Sequence, residues 1–344
     1  MKAAWEKRTL HFRFTAITSR EQMNAKDTYY IKVWREDAPD VMGVGEAAVF
    51  HGLSCDARPD FEQKLSEVCE KIDKYSAELH TALSQWPAIR FGLETALRDM
   101  QCGGRRELFD TPWSHGREGL LINGLVWMGD RDTMERRIEE KLTAGFNCVK
   151  LKIGGVDFES ETGLLRIIRE VAPHVELRLD ANGAFSPREA LSRLDALARY
   201  DIHSIEQPIR QGQWVEMARL CKESPIPIAL DEELIGFNGD EDRHRLLDAV
   251  SPAYIILKPT LLGGWEAADR WIASARERGV GWWATSALES DIGLNAIAQW
   301  VATHSPVMPQ GLGTGQLFTD NIPSPLTLKG ERLWTDTERG WGAV

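Results

Sequence analysis

The chain has 344 residues, of which 43% are hydrophobic and 27% are charged, a composition typical of a folded globular protein rather than a disordered or fibrous one. Its 41 Lys and Arg residues are outnumbered by 52 Asp and Glu residues, and the net charge of -11 disfavours general nucleic-acid binding. No apolar run approaches the ~20 residues that span a bilayer. The N-terminus lacks the apolar core of a signal peptide. We therefore expect a cytoplasmic protein without nucleic-acid or membrane partners.

The first 115 residues are predicted to form a small α+β domain. Apolar spacings predict two strands and two helices, at Leu10–Ala16, Tyr29–Trp34, Phe61–Tyr75 and Ala88–Met100. The glycine-rich segment Gly43–Ala48 matches a loose dinucleotide-binding fingerprint. Because no βαβ unit follows this segment, we interpret it as a turn and not as a nucleotide site.

Residues 116–315 are predicted to form a second domain, in which short apolar strands alternate with amphipathic helices. The predicted strands are Leu120–Trp127, Cys148–Ile153, Leu177–Asp180, Ser204–Gln207, Ile226–Asp231, Tyr254–Lys258 and Gly281–Ser286. Seven successive βα units without a long interruption favour a closed (β/α) barrel over an open sheet. Residues 316–344 have no clear period, and we expect them to pack back onto the first domain.

Charged residues stand at the carboxyl ends of consecutive predicted strands. Asp180, Glu206 and Asp231 are separated by 26 and 25 residues, and Lys258 follows after another 27. One charge per βα unit brings these side chains to the same mouth of a barrel, where reactive groups of such folds lie. The sequence therefore predicts a site that combines three carboxylates with at least one lysine.

Three convergent carboxylates repel one another unless a cation neutralises them. Oxygen ligands without His or Cys favour Mg²⁺, with Mn²⁺ as an alternative ion. Lys150 and Lys152 point to one face of their strand, because side chains alternate with period two. A neutral Lys152 can act as a base near pH 7, which suggests abstraction of a proton next to a carboxylate, with the metal stabilising the enediolate.

Five short motifs resemble those of the enolase superfamily, specifically of its muconate-lactonising subgroup. They are Lys150-Leu-Lys152, Asp180-Ala-Asn182, Glu206-Gln-Pro208, Asp231-Glu232 and Lys258-Pro259. The resemblance implies an α/β fold in which a TIM-like barrel of the modified (β/α)7β type lies under an α+β N-terminal capping domain. It also implies that Asp180, Glu206 and Asp231 bind Mg²⁺.

The resemblance implies a role for each lysine. Lys152 would remove the α-proton of a cyclohexadiene carboxylate substrate and then return a proton to the departing hydroxyl. Lys258 would stabilise the anionic intermediate from the opposite face of the ring, and Lys150 would favour the neutral form of Lys152. Ser286 and Arg178 are implied as lesser candidates for substrate contacts.

Within the subgroup, three stretches resemble the o-succinylbenzoate synthase family. They are Arg178–Phe185, Ala229–Leu234 and Thr285–Ser290. This resemblance implies a lyase of menaquinone biosynthesis that dehydrates a hydroxycyclohexadiene carboxylate, with a lid around Ser19–Ala25 that closes over the substrate.

Other functions remain open on the sequence alone. An N-acylamino-acid racemase would use the same lysines and carboxylates. A dipeptide epimerase is disfavoured, because Gly311–Gly315 lacks the Asp-x-Asp motif that such enzymes usually carry there. A barrel that only binds a ligand would be favoured if removal of Lys152 left every function intact. The oligomeric state is also open, and a homo-oligomer is compatible with the sequence.

Overall fold

The structure, a computed structural model, describes residues 1–17, 22–155 and 157–344. These residues form a three-stranded antiparallel sheet, a seven-stranded parallel sheet and a small three-stranded sheet, with helices packed around them. The expected α/β fold, a TIM-like barrel with an N-terminal α+β unit, is confirmed. Among the described residues, no helix is long and apolar enough to cross a membrane.

Antiparallel pairing builds the N-terminal sheet in the order β1–β2–β3. The elements are β1 (Lys2–Ile17), β2 (Gln22–Arg35), β3 (Ala38–Ala47), α1 (Phe61–Glu70), α2 (Ile72–Ala77), α3 (Leu79–Ala82) and α4 (Pro87–Gln101). β1 and β2 run longer than the apolar alternation predicts, because backbone pairing continues where side chains are polar, as at Lys7 opposite Tyr29. The helix predicted over residues 61–75 is interrupted at Lys71, whose φ of -111° and ψ of 37° leave the helical region.

The predicted lid around Ser19–Ala25 falls partly on residues 18–21, which lie outside the described residues. Residues 22–25 belong to β2, which pairs with β1.

The interpretation of residues 43–48 as a turn is wrong, because residues 43–47 belong to β3. The glycines serve a close approach between this strand and α4. A Cβ at Gly43 would lie 2.0 Å from the carbonyl oxygen of Ala96, and one at Gly45 would lie 1.9 Å from that of Gly92. The pattern that imitates a dinucleotide fingerprint therefore arises from backbone packing.

A buried carboxylate, that of Asp56, caps the first turn of α4. Its Oδ2 accepts a hydrogen bond from Ala88 N at 2.9 Å, and its Oδ1 has no partner among the described residues. Burial raises the pKa of Asp56 to about 6. The folded state then binds the proton more tightly than the unfolded chain, so this carboxylate costs stability as the pH rises from about 4 to about 6.

We expect Asp56→Asn to gain stability over the parent chain as the pH rises through this window, by up to about 3 kcal/mol at the upper end. Urea unfolding of both proteins from about pH 4 to pH 8 measures the difference. Asp60→Asn, at an exposed position four residues along the chain, is the control and should show no comparable gain. A difference between Asp56→Asn and the parent that stays constant with pH would contradict the assignment.

The barrel strands follow one another around the sheet in chain order from β5 to β11. The strands are β4 (Leu120–Leu121), β5 (Gly124–Val126), β6 (Cys148–Lys152), β7 (Glu176–Asp180), β8 (Ile202–Glu206), β9 (Ile228–Leu230), β10 (Tyr254–Leu257) and β11 (Gly281–Ala284). The helices are α5 (Arg131–Thr143), α6 (Phe158–Val171), α7 (Ala190–Ala198), α8 (Trp214–Glu223), α9 (Asp240–Val250), α10 (Pro259–Leu262), α11 (Trp265–Arg276) and α12 (Asp291–Thr303). The strand predicted over residues 120–127 is divided, and only β5 joins the barrel sheet.

Residues around Gln310 close the barrel in the position of an eighth strand. Gln310 N donates to Leu121 O at 2.9 Å, and Gly311 N donates to Ala284 O at 2.7 Å. The bridges of Gln310 to Ile122 and of Gly311 to Thr285 are parallel, like the pairs within the sheet, and they join the segment between β4 and β5 to the residue after β11.

The C-terminal residues contact both parts of the molecule. A hairpin of β12 (Leu326–Lys329) and β13 (Arg332–Thr335) pairs with β4. Beyond the hairpin, Trp341 and Val344 pack against a buried cluster that includes Tyr30 and Val44 of the N-terminal sheet. The division into domains at residues 115 and 315 stays a prediction.

Candidate active site

Strand register brings the charged side chains into one layer at the barrel mouth. Lys152 stands opposite Asp180, and Asp180 stands opposite Glu206, across β6, β7 and β8. Asp231 and Lys258 directly follow β9 and β10, and the ammonium of Lys258 donates to Asp231 Oδ2. Each of the five residues is less than 10% exposed. The residues predicted from strand-end spacing are therefore neighbours in space.

Two lysines share the carboxylate of Asp180. Lys150 Nζ lies 3.0 Å from Asp180 Oδ2 and 2.6 Å from Glu206 Oε2. Lys152 Nζ lies 3.0 Å from the same Asp180 oxygen. Burial disfavours the charged form of Lys150, but the two carboxylates outweigh this effect and raise its pKa.

The carboxylates differ in how readily they ionise. Burial opposes ionisation of Asp180, but the adjacent lysine ammonium groups outweigh it and hold its pKa below the usual range. Burial and the nearby charge of Asp180 raise the pKa of Glu206 to about 8. Burial also raises the pKa of Asp231, against the ion pair with its lysine. The lysines alone therefore do not keep all three buried carboxylates ionised.

The chemistry of these residues fits a hard divalent cation. Glu206 Oε1 is buried and has no hydrogen-bond partner among the described residues. Three carboxylates without His or Cys form the donor set that Mg²⁺ prefers. Within the part of the chain that the structure describes, however, no three acidic, His or Cys side chains are gathered closely enough to hold a metal ion as they stand. Binding of one ion by Asp180, Glu206 and Asp231 stays a prediction.

A largely apolar pocket opens beside Lys152 and Lys258. Its space of about 780 Å³, which includes the open mouth, suits a small molecule. The apolar side chains that line it are Phe50, Leu53, Leu125, Trp127, Ala287 and Leu288. The ring of Trp127 lies over Lys152, with its centroid 5.5 Å from Nζ. Both lysines thus reach a pocket that presents apolar surface to a ligand.

The two lesser candidates lie in different places. Ser286 lines the pocket, and its hydroxyl donates to Glu289 Oε2 at 2.7 Å. Arg178 donates to Glu176 Oε1 at 2.7 Å and to Pro309 O at 2.8 Å. Arg178 lies on the inward face of β7, as Asp180 does, but two residues earlier and therefore in the layer beneath. The structure does not place Arg178 among the residues that line the pocket.

Two amide side chains at the strand ends were not assigned a role from the sequence. Asn182 Oδ1 accepts a hydrogen bond from Lys152 Nζ at 2.7 Å, and Gln207 Oε1 accepts one from Asp231 N at 3.1 Å. Both residues have a left-handed backbone, with φ of 44° and 41°. Such strain concentrates at functional sites. Both residues follow a strand-end acid, in the motifs Asp180-Ala-Asn182 and Glu206-Gln-Pro208. This position is the signal that the sequence offers for them.

Known proteins resemble this chain over nearly its whole length or over part of it. It is 45% identical to the o-succinylbenzoate synthase of Desulfotalea psychrophila, over 97% of this chain and 98% of that protein. The crystal structure of MenC from the same organism matches with a TM-score of 0.85 at 43% identity, covering 97% of this chain and 99% of that one. The N-succinylamino acid racemase of Thermus thermophilus is 33% identical, over 47% of this chain and 42% of that protein.

A family model described as enolase C-terminal domain-like matches residues 133–344, which include all the strand-end charges of the site. The match covers more than half of the chain, and the resemblance to the muconate-lactonising subgroup is confirmed. The chain therefore belongs to the enolase superfamily, as a member of its enolase C-terminal domain-like family.

Proposed function

We propose that this chain catalyses the Mg²⁺-dependent dehydration of 2-succinyl-6-hydroxy-2,4-cyclohexadiene-1-carboxylate to 2-succinylbenzoate, a lyase reaction of menaquinone biosynthesis. Mn²⁺ is an alternative ion. The observation that carries the proposal is that Lys152 and Lys258 both line one apolar pocket beside a group of buried carboxylates. The name of the 45% identical relative, o-succinylbenzoate synthase, supports the choice of reaction.

Asp180, Glu206 and Asp231 would hold the ion. When bound, it would supply positive charge beside the substrate carboxylate, where negative charge develops as the α-proton leaves. Asp180, with its charge taken up by an ion, would hold the ammonium of Lys152 less firmly. That change favours the neutral amine that a general base requires.

Lys152 would take the proton from the ring carbon that bears the carboxylate. The electron pair of this C–H bond would first pass into the carboxylate to give an enediolate, and would then form the new ring double bond as the adjacent C–O bond breaks. The proton then passes from Lys152 to the departing hydroxyl, which leaves as water, and the amine is neutral again. Lys258 would remain an ammonium and face the developing anion, whose negative charge favours the protonated form of the lysine. Aromatisation of the ring drives the step forward.

The pocket suits this substrate. Its apolar side chains would cover the faces of the carbon ring and exclude water, which strengthens the electrostatic contacts of the lysines. Lys150, held by Asp180 and Glu206, would keep a second ammonium close to Lys152 and so favour its neutral form.

The test is a dehydration assay that follows formation of 2-succinylbenzoate by its ultraviolet absorbance. We expect turnover with Mg²⁺, loss of turnover in EDTA, and recovery when excess Mg²⁺ or Mn²⁺ is restored. Absence of dehydration at every metal concentration, from a protein that is folded by circular dichroism, would contradict the proposal.

A second candidate function is racemisation of N-succinylamino acids. It is favoured by the presence of both Lys152 and Lys258 on one pocket, since a racemase needs a base for each face of the α-carbon. The partial match to a racemase of that class adds support. Incubation of one enantiomer in deuterated water distinguishes the candidates. Racemisation with exchange and no dehydration activity would replace the first proposal with the second.

A further inference from the structure

Part of the pocket is formed by a strained loop. Residues 286–289, here called the pocket wall, follow β11, and the first three of them line the pocket. Leu288 has a φ of 63°, in the left-handed region that residues other than glycine rarely adopt. A strained backbone persists only where its surroundings hold it. The contacts of the pocket wall therefore decide the shape of this side of the pocket.

Hydrogen bonds within the barrel hold one side of the pocket wall. Leu288 N donates to Ser286 Oγ at 2.9 Å, and Ser286 Oγ donates to Glu289 Oε2 at 2.7 Å. Thr260, two residues after Lys258, donates its hydroxyl to Glu289 Oε1. The pocket wall is thereby tied to the strand end that carries Lys258.

The carbonyl groups of the pocket wall are held from the N-terminal sheet. Lys26, on β2, donates its ammonium to Leu288 O at 2.9 Å and to Ala287 O at 3.3 Å. The lysine is 8% exposed, and burial lowers its pKa although Glu289 and Glu46 oppose the change. A desolvated ammonium is costly, and here its hydrogen bonds go to the carbonyl groups of the strained residue and of the residue before it.

A second contact from the same sheet stabilises the chain just beyond the pocket wall. Glu46, on β3, accepts hydrogen bonds from Ser290 N at 2.8 Å, Ser290 Oγ at 2.6 Å and Gly293 N at 2.9 Å. These donors belong to the first turn of α12 and to the residue that precedes it. The N-terminal sheet thus supports the pocket wall at Lys26 and its continuation at Glu46.

We propose that Lys26 is a positioning residue that sets the shape of the pocket wall from the N-terminal sheet. It acts through the backbone of Ala287 and Leu288 and has no part in proton transfer. Substrate fit therefore depends on how β2 docks against the barrel. The inference rests on the proposed function in that it takes this pocket as the substrate site.

The test compares Lys26→Met, which keeps most of the apolar stem, with Lys26→Arg, which keeps the donors. Lys32→Met is the matched control, because Lys32 lies on the same strand and bonds instead to Glu6 and to the backbone of Val344. We expect Lys26→Met to raise KM by about tenfold with a smaller effect on kcat, and Lys26→Arg to recover most of the loss. Lys32→Met should keep the KM of the parent.

Hydrogen exchange of residues 286–290 gives a readout that does not depend on activity. Faster exchange there in Lys26→Met than in Lys32→Met is expected, by about tenfold. An unchanged KM and unchanged exchange in Lys26→Met would overturn the inference. So would a loss of thermal stability that is equal in both Met variants and leaves exchange of the pocket wall unaltered.

The two proposals fail in different ways. If the parent protein does not dehydrate the cyclohexadiene substrate, the proposed function fails, while the exchange comparison still decides whether Lys26 holds the pocket wall. If Lys26→Met does not fold, Lys26→Gln provides a milder loss of the ammonium, and the same comparison is made. Normal exchange and KM in that variant would overturn the inference.

Discussion

Replacement of Lys152 by Ala is expected to lower turnover of the cyclohexadiene substrate by about 10³-fold or more and to leave the fold intact. The expected loss follows from the role of Lys152 as the base that takes the α-proton and returns it to the leaving hydroxyl. Structural damage should be small, since Asp180 retains Lys150 at 3.0 Å as its partner. Steady-state kinetics and thermal melting with and without Mg²⁺ measure the two effects.

Lys152→Arg separates the base from the charge at the same position. Arginine retains a cation beside Asp180 but does not give up its proton near neutral pH, so it should lose as much turnover as alanine. Lys222→Ala, near the end of α8 and away from the pocket, is the control and should behave like the parent chain. Substantial turnover by Lys152→Arg would show that Lys152 acts through its charge and not as a base.

The arrangement of charges at the barrel mouth was accessible from the sequence because it depends on a local rule repeated along the chain. Parallel strands joined by helices bring their carboxyl ends to one edge, so a charge recurring every 25 to 27 residues from Asp180 to Lys258 predicts neighbours in space. The alternation of side chains likewise put Lys150 and Lys152 on one face, and both contact Asp180.

Features that depend on contacts between distant elements were not accessible in this way. The local sequence around Gly43 and Gly45 is typical of a turn, and nothing in it shows that α4 presses against β3. Arg178 has the right face but the wrong layer, because alternation determines the side of a strand and not the depth within a barrel. The bonds of Lys26 to the pocket wall, 261 and 262 residues away along the chain, have no local signal at all.

The same limit applies to the candidate metal site. Spacing predicts that three carboxylates approach one another, and the structure shows that lysines already pair with their oxygens. Competition between lysine and a metal ion for the same oxygens is set by distances and burial that a sequence does not contain. This competition can be measured directly, because lysine and the metal ion change the stability of the protein in different ways.

Replacement of Glu206 by Gln is expected to abolish turnover almost completely and to remove the stabilisation that Mg²⁺ gives to the parent chain. Glutamine keeps the shape of the side chain but removes the charge that would attract the ion. A ligand that binds the folded state raises Tm, so loss of binding appears as a missing increase in Tm with added Mg²⁺. Turnover should fall by about 10³-fold or more even at high Mg²⁺, as expected for loss of metal-assisted stabilisation.

In EDTA the order of stabilities should reverse. Burial and the charge of Asp180 raise the pKa of Glu206 to about 8, so the folded state binds the proton more tightly than the unfolded chain does. Ionisation of Glu206 therefore costs stability as the pH rises from about 4.5 to about 8 in metal-free protein. A neutral glutamine at this position would carry no such cost, and Glu206→Gln should melt above the parent chain at pH 8 in EDTA but below it in excess Mg²⁺. Glu216 is exposed on α8, and the substitution Glu216→Gln is the control. An equal Mg²⁺-induced rise in Tm for Glu206→Gln and the parent would show that Glu206 is not a ligand of the ion.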